Sequence, residues 1–256
     1  MNHKIIIAAL CCLPFISVAQ ESKEESPLTA SAELGMLYKT GNTKSADIKT
    51  GFDVKYEEAL WRSTLEFDLL VKKTETTDAN GEDNFDTSDQ KWTVESKTNY
   101  TLDKNSKNYV YGDIAYEDNR FSGFENQSSI SAGWGRHWFK NEKSSLFADI
   151  GPGYKRDVLK ATDTEESKTN SSFIVQAQAL YLRKINKHVE FKQLLSAKYA
   201  IKSGANSKYK AETSIKTKLI DTLALKFSFI IDHNTDVDEG AERTDTQTAM
   251  TLVYSF

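Results

Sequence analysis

Beyond the N-terminal segment the chain carries three histidines, His137, His188 and His233. A metal centre or a hydrolase would have to draw on these imidazoles. Asp232-His233 is an adjacent acid–imidazole pair, but on a strand successive side chains point to opposite faces, so the two diverge. The strand order below puts His137 and His188 at one end and His233 at the other, so they cannot share one metal. No catalytic, metal or cofactor-binding residue is therefore assigned. Two acidic stretches, one with Asp78, Glu82, Asp83, Asp86 and Asp89 and one with Asp236, Asp238, Glu239 and Glu242, have the oxygen ligands calcium favours. They lack twelve-residue EF-hand spacing and read as solvated loops.

The most informative charges alternate. Lys192, Lys198, Lys208, Lys210, Lys216, Lys218 and Lys226 fall on one face of three successive strands, with Lys202 just past one of them and only Glu190 and Glu212 against them. Glu66, Asp68 and Glu95 stand with Asp47 and Asp53 on the corresponding face of earlier strands, among several Lys and Arg. Such faces suit the inside of a barrel, one wall basic and the other mixed. A basic wall in a narrow bore favours anionic solutes. Lysines and carboxylates paired across the bore would instead close it. Both readings stay open.

The elements that would place these charges are twelve strands, expected near residues 30–39, 46–56, 61–72, 91–102, 109–117, 128–139, 145–155, 171–183, 189–201, 208–219, 223–231 and 246–256. The third sets Trp61, Leu65, Phe67, Leu69 and Val71 against Arg62, Glu66, Asp68 and Lys72. Connectors alternate between short turns and longer polar loops, the longest expected at 73–90. That alternation, and strand lengths suited to a tilted membrane crossing, favour an all-β, antiparallel transmembrane β-barrel of about twelve strands over a β-sandwich. Aromatic residues gather in two girdles. Tyr56, Trp61, Tyr100, Tyr109, Trp138, Phe139, Tyr254 and Phe256 lie beside the short turns; Tyr38, Trp92, Phe121 and Phe124 lie near the loops. Rings of this kind sit at lipid headgroups. The last strand places Met250, Leu252, Tyr254 and Phe256 on one face, the alternating aromatic end expected of a signal read by the barrel-assembly machinery.

Residues 1–19 carry Lys4, a short apolar run and the small residues Ser17-Val18-Ala19. They read as a secretory signal peptide, followed by a flexible segment at 20–29 and the barrel at 30–256. Both cysteines, Cys11 and Cys12, lie within it, so the mature chain would have no thiol. The formal net charge is -4, and without a basic stripe no nucleic-acid partner is expected.

Three stretches carry a family likeness: "AELGMLYKTGNTKSADIKTGFDV", "YEDNRFSGFENQSSISAGWGRHWF" and "FADIGPGYKRD". From about residue 30 onward the chain resembles the YdiY-like salt-induced outer-membrane protein family. The resemblance implies a barrel in a Gram-negative outer membrane and supplies no activity or functional residues. Gly41-Asn42 suits a tight turn, Gly133 and Gly135 a bend or close inner packing in the wall, Gly151-Pro152-Gly153 a bulge or kink, and Arg120 a loop anchor folded into the lumen. The expected role is a narrow, anion-leaning solute pore. The alternative is a closed structural or stress-response envelope barrel. Expected partners are outer-membrane lipid, lipopolysaccharide, the assembly machinery and a small anionic solute, with no cofactor.

Overall fold

The computed structural model describes residues 26–39, 45–77, 83–103, 107–119, 124–161, 167–237 and 242–256. Residues 1–25, with the expected signal peptide and its cysteines, lie outside them, as do Gly41, Asn42, Asp78, Glu82, Arg120, Phe121, Asp238 and Glu239. Among the described residues twelve strands form one closed antiparallel barrel. They are β1 (Leu28–Lys39), β2 (Ser45–Glu58), β3 (Trp61–Thr77), β4 (Asp83–Thr101), β5 (Asn108–Asn119), β6 (Phe124–Lys140), β7 (Ser144–Leu159), β8 (Thr169–Lys184), β9 (Val189–Ala200), β10 (Lys208–Lys218), β11 (Leu223–Asn234) and β12 (Thr244–Ser255). Each strand pairs with its chain neighbour, and β1 closes on β12.

Alternation along each strand sorts side chains by polarity, and the sorting is inverted relative to a water-soluble protein. Leu34, Met36, Ile114, Phe173, Tyr199 and Met250 face outward and are each more than half exposed. Glu33, Lys49, Asp113, Asp149, Lys155, Asp157 and Glu212 face inward and are buried. Stable exposure of so much apolar surface requires lipid around it, and a closed ring leaves the wall without long free edges inside the hydrocarbon. The protein is a transmembrane barrel.

One rim is formed by the strand ends that flank 59–60, 102–107, 141–143, 185–188 and 219–222, together with the first residue of β1 and the last of β12. The other rim is formed by the strand ends that flank 40–44, 78–82, 120–123, 160–168, 201–207 and 235–243. The long loop expected at 73–90 is mostly strand. β3 and β4 stay paired out to Thr77↔Asp83, and the Thr74 hydroxyl bonds Ser88 at 3.0 Å. Alternating Thr, Asp and Ser extend this hairpin without an apolar face, so hydropathy does not reveal it.

The turn-rim girdle contains Trp61 tilted against Tyr100 at 4.8 Å and Tyr254 against Phe256 at 4.9 Å. Trp138 and Phe139 are adjacent yet both exposed, because a register shift between His137 and Phe139 inserts one extra residue. Two expected girdle members are elsewhere. Tyr109 points into the lumen and is 1% exposed, and Phe124 is buried. Tyr109 is in register with Gly135, and a Cβ at Gly135 would lie 2.2 Å from Tyr109 Cζ. The ring takes the space that glycine leaves. At the Gly-Pro-Gly stretch the β6–β7 ladder skips from Ser131↔Gly153 to Trp134↔Ile150, as expected where Pro152 has no N–H to donate. A Cβ at Gly133 would lie 2.6 Å from Gly151 Cα, so these backbones meet only as glycines.

Candidate functional site: the barrel lumen

The lumen has three layers. Nearest the loop rim, charges meet across the bore. Lys91 on β4 reaches Asp232 on β11 at 2.8 Å and Glu117 on β5 at 3.5 Å. Lys208 on β10 reaches Glu117 at 2.7 Å and the Gln127 amide oxygen at 2.9 Å. β4 and β11, like β5 and β10, stand five strands apart in the twelve-strand ring. These bonds therefore span the opening. Lys155 pairs with Asp157 beside them.

Below this network lies a cavity of about 190 Å³, lined by Glu66, Glu95, Lys198 and Lys210 among others. On its β4–β8 side Asp149 accepts from Lys97 Nζ at 2.7 Å and from the Tyr109 hydroxyl at 2.9 Å. Lys97 also bonds Gln178 and sits 4.7 Å over the Tyr111 ring. Nearest the turn rim is a vestibule of about 360 Å³. Glu33 there holds Lys226 at 3.0 Å and Lys49 at 3.6 Å. Lys192 lines both spaces and pairs with Glu212 at 3.2 Å.

Of the expected lumen residues, Glu66, Glu95, Lys192, Lys198, Lys208 and Lys210 line the cavity, and Lys192, Lys216 and Lys226 line the vestibule. Lys192, Lys208, Lys216 and Lys226 each hold a carboxylate, Lys216 bonding Glu190 at 3.2 Å. Asp68 lies 3.9 Å from Lys49. Lys218 is exposed at the strand end, and Lys202 is exposed in the β9–β10 connector. Among the described residues Lys198 has only the Ser129 hydroxyl, at 2.8 Å, while Lys210, Glu66 and Glu95 form no ion pair. The continuous basic wall expected from the sequence is thus broken up by carboxylates. Glu33, Glu117 and Asp149 were not singled out by sequence reasoning. Their inward parity on β1, β5 and β7 was the available signal. Asp232 was read as diverging from His233, and its partner on β4 was not foreseeable.

The histidines do not converge. His137 packs in the lumen against Tyr109 and Phe147, with centroids at 5.1 and 4.6 Å. His188 lies in a turn, and His233 faces outward with its ring nitrogen 2.8 Å from Thr244 Oγ1.

A family model described as "Protein of unknown function, DUF481" matches residues 32–256. The chain belongs to the DUF481 family. Within curated proteins it is 22% identical over 242 residues to the uncharacterized protein YdiY of Escherichia coli, covering 94% of this chain and 88% of that one. Among solved structures it is similar to the translocator domain of the autotransporter NalP from Neisseria meningitidis, with TM-score 0.48, 8% identity and coverage of 90% and 87%. An outer membrane channel from Pseudomonas putida F1 gives TM-score 0.47 and 8% identity, with 93% and 100% covered.

Proposed function

We propose that this DUF481 protein is a non-enzymatic barrel of the bacterial outer membrane, with its turn rim in the periplasm, serving as a narrow solute conduit constricted near its outer end. The observation that carries this reading is the stacking of a vestibule and a cavity behind the cross-lumen pairs Lys91–Asp232 and Lys208–Glu117. A lumen built only for rigidity could be filled with side chains throughout. Ion selectivity should be weak, because most lumen lysines face carboxylates; only Lys198 and Lys210 preserve the anion lean read from the sequence. The C-terminal strand remains the proposed contact with the assembly machinery, and lipid and lipopolysaccharide the proposed surroundings.

The second reading, a closed envelope barrel, draws support from the same cross-lumen bonds. Planar-bilayer conductance separates the two. Truncating Lys91, Glu117, Lys208 and Asp232 together to alanine removes both members of each pair and leaves no orphaned charge from them. The conduit reading expects stepwise conductance that is small in the native barrel and several-fold larger in the variant. Silence from both proteins, each shown to be folded by heat-modifiable migration, would leave the closed barrel.

A further inference from the structure

The cavity has two unlike walls. Glu66 on β3 and Glu95 on β4 are directly opposite in register. Like charges so placed repel each other, and neither carboxylate has an ion-pair partner among the described residues. Glu66 is exposed to the lumen. Six strands away, half the ring, Lys210 is in register with Ser196 and Lys198 with Lys208. Lys208 is held by Glu117, whereas Lys198 and Lys210 have no carboxylate in contact. Glu95 is within electrostatic reach of both lysines but bonds neither. A carboxylate pair and an ammonium pair thus face each other across a gap, each fixed by strand register. Elsewhere in the lumen most acids and bases have closed on one another; among the described residues Asp53 forms no ion pair, and buried Asp113, which adds to the negative charge around Glu95, has no hydrogen-bond partner.

We propose that this cavity binds a small zwitterion, its ammonium group at Glu66 and Glu95 and its carboxylate at Lys198 and Lys210. A monoanion would leave the carboxylate pair uncompensated, and a monocation the lysine pair. A volume of about 190 Å³ falls below the range of about 300–1,000 Å³ that suits drug-sized ligands, so the solute is of amino-acid size. It enters from the turn rim through the vestibule, which meets the cavity at Lys192. This goes beyond the conduit reading, since binding needs only one open rim.

Isothermal titration of the purified full-length barrel in a non-ionic detergent tests it. The probes are glycine, 4-aminobutanoate and 6-aminohexanoate, with butanoate and butylamine as singly charged controls. At least one zwitterion should bind saturably, with each control weaker by about tenfold or more. Both Glu66→Gln/Glu95→Gln and Lys198→Met/Lys210→Met should lose that binding while keeping heat-modifiable migration. Butanoate binding as tightly as the best zwitterion would overturn the proposal in favour of an anion site. Absence of saturable binding across the series, or binding unchanged in the folded variants, would also overturn it. A barrel that conducts without binding sinks this inference alone, and one that binds without conducting sinks the conduit alone.

Discussion

Two single positions show how closely the wall is fitted. Gly135 has no room for a methyl group beneath the Tyr109 ring, where the built Cβ falls 2.2 Å from Cζ. Gly135→Ala should destabilise the barrel by about 1–3 kcal/mol through overpacking. Adding Tyr109→Ala should make the combined loss smaller than the sum of the two, because the clash and the ring disappear together. Both are measured as the temperature at which heat-modifiable migration is lost. Ala59 makes the opposite case. It turns the β2–β3 hairpin at φ 51°, a left-handed conformation that costs a side chain roughly 1–2 kcal/mol. Ala59→Gly should raise that temperature slightly. The Gly135 effect was partly legible: glycine in a strand signals close approach. Its partner was not. "YVY" at 109–111 places large residues on both faces, so pattern alone could not tell lumen from lipid.

Among the elements, the seam between first and last strands is the shortest. Register pairs run only from Ser31↔Ser255 to Leu34↔Leu252, supplemented by a Phe256 N–H to Ala30 carbonyl bond of 3.0 Å. Ser31→Cys with Ser255→Cys should form a disulfide under oxidation, since antiparallel partners bring Cα atoms within about 4.5–5.5 Å. The oxidised barrel should resist heating more than the reduced one. Failure to crosslink in a folded sample would count against this register. Strand number and approximate bounds were readable from alternation, because in lipid the apolar face is as compulsory as a core. The seam was not readable: its partners stand at opposite ends of the chain and share no local signal.

For the whole molecule, the decisive contacts join residues remote in sequence. Lys91 meets Asp232, and Lys208 meets Glu117. The alternating lysines read as a basic wall, and Glu190 and Glu212 on the same pair of strands were visible against them. The partners of Lys91 and Lys208 were not, because they arrive from strands five places around the ring. Salt offers a test at this scale. Partly buried pairs are screened less than exposed ones, though not immune. Conductance per unit of bulk conductivity should rise with KCl in the native barrel as the pairs loosen. In the variant with all four residues truncated to alanine it should stay flat.

The short seam also bears on assembly. β1 opens the strand order and β12 closes the ring on it. Until those two strands meet, the sheet is an open ribbon with two unsatisfied edges. Removing β12 would leave eleven strands, whose closure would need a parallel seam in place of the antiparallel one. Ring closure thus depends on the stretch of wall with the fewest paired residues.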